Sequence, residues 1–147
     1  MSGRVCFVNR YCYPDGSATS QLMTDLAGEL SSRGWQVTMV GSNQRYDDAS
    51  ARLPATDRWR GVDIARVATT RFGRGSLAGR AIDYLSFCLG LPFVLWKVLR
   101  RGDVLVAKTD PPMLGVFAAP FTRLRGARTV NWLQDLFPEI AVALEQP

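Results

Sequence analysis

Three short segments hold the polar residues whose types and spacing could do chemistry. The first is Gly16-Ser17-Ala18-Thr19-Ser20, where the turn formers Pro14, Asp15 and Gly16 give way to a helical pattern. Free backbone N–H groups and the positive end of a helix dipole suit a phosphate there, and Gly16 lets the backbone come close. The same residues also read as a plain N-cap turn, because neither G-x-G-x-x-G nor GK[ST] is present. The second is Lys108-Thr109-Asp110-Pro111-Pro112. Lys108 and Asp110 could hydrogen-bond sugar hydroxyls, or Thr109 or Asp110 could simply cap the next helix. The third is Gln134-Asp135 ahead of Pro138-Glu139. Asp135 could orient a hydroxyl or act as a base, whereas Glu139 suits a helix start without any catalytic role.

Composition narrows the chemistry. The 147 residues contain no histidine, which excludes Ser-His-Asp and Cys-His catalysis within the chain. Cys6, Cys12 and Cys88 are odd in number and widely spaced, so neither a disulfide framework nor a zinc site is expected, and a reduced, cytosolic protein is. The net charge of +5 favours anionic partners such as phosphates or an anionic membrane surface. Nucleic acid is not expected, since no RNA- or DNA-binding motif appears and the basic residues are dispersed.

Alternating strand and helix patterns must position these segments. Arg4–Val8, Gln36–Gly41, Gly61–Val67, Asp103–Lys108 and Thr129–Leu133 read as five strands. A helix starts near Ser17–Ser20, presents Leu22, Leu26 and Leu30 with Met23 and Ala27 beside them, and ends at Arg33-Gly34. Ser42 to Arg60 reads as a long exposed loop and Thr69 to Gly79 as a second flexible stretch. From Ser76 to about Arg100 a helix is expected, kinked or split at Gly90 and Pro92. Further helices follow over Met113–Leu124 and, briefly, from Gln134 to Glu139. The expected fold is α/β: one Rossmann-like domain over residues 1–147, a parallel sheet with helices on both faces. Ligands then collect outside the carboxyl ends of the strands, where all three polar segments lie. The chain stops just as its last helix begins, which reads as the amino-terminal part of a longer protein.

The most apolar stretch, Tyr84 to Leu99, falls short of the roughly 20 residues that span a bilayer. Two readings remain open for Leu77 to Leu99: a core helix, or a helix in the membrane interface. In the second, Arg71, Arg74, Arg80, Lys97, Arg100 and Arg101 would meet anionic headgroups.

Over essentially its whole length the chain resembles the N-terminal domain of GT-B glycosyltransferases, in the large retaining family that uses nucleotide-sugar donors. The likeness rests on the first strand, the loop Tyr13-Pro14-Asp15-Gly16-Ser17, the helix end Arg33-Gly34-Trp35 and the strand Val37–Val40. Ser17 stands where members commonly have a second glycine, and Trp35 where they have histidine. Ala107–Pro112 and Asn131–Glu139 are similar to the subgroup that makes bacterial surface polysaccharides, including the colanic acid and O-antigen fucosamine transferases. Gln134 replaces a histidine found in many broader relatives.

The resemblance implies a two-domain enzyme with its site in the cleft between the domains. This half would bind the acceptor, often a lipid-linked saccharide, on the inner face of the plasma membrane. A C-terminal half, not among these residues, would bind the nucleotide sugar. Transfer would retain the anomeric configuration and need neither cofactor nor metal. Gly16 and Ser17 would face the donor phosphates, and Asp110, Gln134 and Asp135 would line the acceptor side, with Asp135 as the catalytic candidate. A dehydrogenase or epimerase is the competing enzyme class. The missing glycine fingerprint counts against it, as does Ser42-Asn43-Gln44-Arg45, which offers no carboxylate for a ribose. A non-enzymatic, basic membrane-binding module is the third.

Overall fold

A computed structural model describes residues 3–73 and 75–134. The expected final helix, with Asp135, and the headgroup candidate Arg74 lie outside the described residues. The elements run β1 (Arg4–Val8), α1 (Ala18–Ser32), β2 (Gln36–Ser42), β3 (Thr56–Trp59), β4 (Val62–Val67), α2 (Leu77–Val98), β5 (Val104–Ala107), α3 (Leu114–Leu124) and β6 (Arg128–Asn131). They form one six-stranded sheet in the order β3-β4-β2-β1-β5-β6. All neighbouring pairs are parallel except β3 with β4.

Strand residues alternate between two cores, as the pleat requires. Val5, Phe7, Val37, Met39, Val62 and Ile64 point to the face covered by α1, where Met23 and Ala27 are fully buried. Cys6, Val8, Val40, Val67, Leu105 and Ala107 point to the other face, under Phe87, Leu91, Leu95 and Leu99 of the α2 region and Leu114 and Ala118 of α3. The sheet thus carries helices on both faces, as its strand sequences require.

Four expectations need correction. Residues 42–60 are not all loop, since Thr56–Trp59 adds an antiparallel edge strand to β4. Arg60 and Gly61, both at positive φ (46° and 80°), make the two-residue turn that this pairing needs. The core face of α1 is Ser20, Met23, Thr24 and Ala27, while Leu22 and Leu26 are exposed. Small residues on that face let the helix approach closely: a Cβ on Gly28 would already sit 3.0 Å from the Trp59 ring. Helix α2 is one 22-residue element, not split at Pro92. Leu91 and Leu95 lie either side of the proline in the same core, so packing rewards a single axis. At that length α2 is also long and apolar enough to cross a membrane by length and composition. Finally, Thr69–Gly79 is pinned rather than loose. Asp83, itself buried, accepts the Phe72 and Gly73 N–H groups and the Thr70 hydroxyl.

Candidate functional site

The chain leaves β1 for α1 on one face and leaves β5 for α3 on the other, and the two strands are neighbours. Adjacent strands whose connections diverge leave a crevice at their carboxyl ends, the switch point of an open α/β sheet. Backbone bonds tie the loops around it together. The Arg10 N–H donates to the Asp110 carbonyl at 2.7 Å, and the Lys108 N–H to Val8 at 3.0 Å. The Trp132 N–H donates to Ala107 at 2.8 Å, bringing the end of β6 to the same rim. The first two polar segments and the approach to the third therefore meet at one edge.

In the first loop Asp15 is buried and accepts the Ser17 N–H at 2.9 Å and also the Tyr46 N–H. The carboxylate therefore occupies one of the donors at the start of α1. Ser17 is the N-cap residue, yet its side chain makes no capping bond. Its Oγ is buried without a hydrogen-bond partner among the described residues, as are Ser20 Oγ, Asn9 Oδ1 and Arg10 Nε. Gly16 is exposed, and a Cβ there would sit 3.2 Å from the Asp47 carboxylate.

Lys108 does not point into open solvent. Only 2% of it is exposed, and its ammonium donates to the Thr19 carbonyl at 2.9 Å in the first turn of α1. The same nitrogen lies 4.0 Å from the centroid of the Trp132 ring. No carboxylate within 4.0 Å balances it among the described residues, and burial pushes its pKa down to about 8. Asp110 behaves in the opposite sense. Burial raises its pKa, the Arg10 guanidinium pulls it back, and the nearby Asp15 carboxylate adds to the rise. The next turn ends at Met113, a non-glycine residue at φ 63° that starts α3. Strained backbone of this kind concentrates where a fold holds a functional loop in place.

Beside this turn lies a groove of about 840 Å³ between the start of α3 and the ends of β5 and β6. Lys108, Thr109, Met113, Val116, Asn131 and Leu133 are among its lining residues. Close packing of α3 on β6 shapes its wall: a Cβ on Gly115 would fall 1.6 Å from Asn131 Oδ1. Gln134, the first residue of the third segment, is half-buried, with Oε1 lacking a hydrogen-bond partner among the described residues.

The structure thus gathers Gly16, Ser17, Lys108, Asp110 and Gln134 around one switch point. The proposed membrane arginines lie elsewhere: Arg71 donates to the Ala51 carbonyl at 3.0 Å, and Arg80 sits exposed in the first turn of α2. Sequence reasoning gave no role to Asn9 and Arg10, and it passed over Asp15 and Trp132 although both stand in segments it quoted. It also missed Arg66, whose buried guanidinium donates to the carbonyls of Tyr13 and Pro54 and to the Asp57 carboxylate. Arg66 thereby clamps the first loop to β4. Among the described residues no three His, Cys, Asp or Glu side chains gather as a metal site would need.

Polar atoms crowded at one rim suit a hydroxyl- and phosphate-rich ligand, bound by many weak hydrogen bonds. No protein-family model and no curated protein sequence matches the chain. Similar solved structures include the crystal structure of α,α-trehalose 6-phosphate synthase from Burkholderia multivorans, at TM-score 0.57 and 20% sequence identity. The match covers 94% of this chain but 34% of that one, so the chain spans about a third of the enzyme's length. At this identity the likeness is one of fold alone, an α/β sheet with helices on both faces.

Proposed function

We propose that this chain is the acceptor-binding half of a glycosyltransferase. It would transfer a sugar, with retention and without a metal, from a nucleotide sugar to a lipid-linked saccharide in bacterial surface polysaccharide synthesis. The observation that carries the reading is a set of buried polar atoms at the switch point with no partner among the described residues: Asn9 Oδ1, Arg10 Nε, Ser17 Oγ, Ser20 Oγ and Gln134 Oε1. Buried polar groups are rarely left without partners, and sugar hydroxyls or phosphate oxygens would supply them. The GT-B-like fold and the two segments resembling polysaccharide transferases point the same way. In this scheme the positive end of α1, with Ser17 and Gly16, faces the donor phosphates. Lys108 stiffens that helix start through Thr19. Asp110 and Gln134 face the acceptor, and Asp135 orients or deprotonates its hydroxyl. A separate C-terminal domain completes the cleft and holds the nucleotide.

The test is a transfer assay with nucleotide sugars and lipid-linked acceptors on the protein translated from the complete reading frame. The 147-residue chain alone is expected to show no transfer, with activity restored when the downstream domain is supplied. In the full-length protein, Asp135→Ala is expected to lower the rate by at least about a hundredfold with the fold intact. Turnover by the isolated chain would refute the division of labour, and an unchanged rate for Asp135→Ala would remove that residue from the site.

A further inference from the structure

Helix α2 turns two apolar faces outward and inward. Phe87, Leu91 and Leu95 fill the sheet core at 1% exposure or less. On the opposite side Ile82, Leu85, Leu89, Phe93 and Trp96 recur three and four residues apart and stand 43%, 57%, 69%, 73% and 53% exposed. That is a single helical stripe, facing away from the sheet. Helix α3 lies against α2 on the same sheet face and adds exposed Val116, Phe117 and Leu124. A continuous apolar surface of this kind marks an interaction site.

Its charges identify the partner. The only acidic residue in α2 or α3 is Asp83, which is buried and spent on the 70–73 loop. Lys97 and Arg123 sit in the last turns of the two helices, and Arg100 is exposed just beyond α2. The Arg125 guanidinium lies 4.6 Å from the centroid of the Trp96 ring and donates to the Leu99 carbonyl through both Nε and Nη2. Trp96 is therefore held at the end of the stripe against a cation. A second copy of this surface would bring like charges together. An anionic lipid surface matches both its chemistries, with apolar side chains entering the acyl boundary and cations meeting headgroups.

We propose that the outward stripe of α2, with Arg125 against Trp96 and Lys97, Arg100 and Arg123 at the helix ends, docks this protein in the plane of an anionic membrane. The helix lies on the bilayer rather than through it, because its other face cannot leave the sheet without emptying the core. This surface lies on different residues from Arg71, Arg74 and Arg80, and it stands whether or not the transferase reading holds.

The test is flotation of the full chain with vesicles of phosphatidylcholine, with and without phosphatidylglycerol. Binding is expected only with the anionic lipid and is expected to weaken as salt is raised. Leu89→Glu with Phe93→Glu, both at exposed positions, is expected to cut binding at least about tenfold with an unchanged circular dichroism spectrum. Lys97→Glu with Arg123→Glu is expected to abolish the preference for the anionic lipid. Brominated phosphatidylglycerol is expected to quench tryptophan fluorescence, and Trp96→Phe to remove most of that quenching. Binding that survives both double substitutions overturns the proposal. So does a sedimentation result in which the chain self-associates, with Leu89→Glu and Phe93→Glu dispersing the oligomer and leaving vesicle binding unchanged.

Discussion

Replacing Lys108 by methionine keeps an unbranched side chain and removes an ammonium that burial penalises. The amine falls from 10.5 to about 8 in the folded chain. At about 1.4 kcal/mol per pKa unit, its charged form costs the native state on the order of 3 kcal/mol at neutral pH. Between about pH 8 and 10.5 the native state binds fewer protons at this site than the unfolded chain does, so stability rises with pH across that window. Below about 8 the penalty is fully present. The hydrogen bond to Thr19 returns about 1 kcal/mol and the Trp132 ring about as much. Lys108→Met is therefore expected to lie within about 1 to 2 kcal/mol of the parent at neutral pH and to fall behind it as the pH rises. The assay is urea unfolding of both chains at stepped pH, read as the difference between them. Burial raises the Cys6 and Cys12 thiols to about 12 and about 11, which erodes stability in alkali as unfolded thiols ionise. Both chains share that loss, so the difference cancels it. A difference that stays flat through the window would refute the account of Lys108 as a desolvated cation.

Two further substitutions test the scaffold around the site. Arg66→Met strands the carbonyls of Tyr13 and Pro54 and the Asp57 carboxylate, and is expected to cost about 3 kcal/mol or more by chemical denaturation; a loss below about 1 kcal/mol would mean that water replaces the clamp. Gly115→Ala sets a methyl against Asn131 Oδ1 and is expected to lower stability by about 1 to 3 kcal/mol in a thermal melt; an unshifted melt would show that Asn131 can swing clear.

Much of the scaffold was readable because its signals are local. The parallel strands read as short apolar or alternating runs, and helices on both faces follow from their alternation with helical segments, whereas the order of strands does not. The carboxyl-end rule then points to the three polar segments before any coordinate is known. β3 was hidden because Thr-Asp-Arg-Trp at an exposed edge lacks an apolar face, and Arg60-Gly61 lacks the Asn or Asp that usually announces such a turn. The face of α1 was misjudged because leucine count outweighed shape, whereas Met23, Ala27 and two hydroxyl residues let the helix settle closer. Asn9 and Arg10 could not be singled out at all. Their significance lies in having no partner, and that depends on which loops meet in space.

That concentration argues for function: of the buried side-chain atoms without a partner among the described residues, only Thr24 Oγ1 and Arg66 Nε lie away from the rim, and other buried carboxylates are well served. Asp83 takes two backbone N–H groups and a hydroxyl, and Asp103 takes Arg4 and the Arg100 N–H. Leaving a buried polar atom unpaired costs about 1 to 3 kcal/mol each, so five of them at one rim are a large debit against a stability of about 5 to 15 kcal/mol. A ligand rich in hydroxyls and phosphate oxygens would recover that energy on binding. The start of α3 connects this rim to the proposed membrane face, since Val116 both lines the groove and stands exposed beside Phe117. A saccharide carried on a lipid could then reach the polar rim while its apolar tail stayed against apolar side chains. On that geometry, a full-length Val116→Asp protein should lose preference for lipid-linked over free saccharide acceptors in a transfer assay.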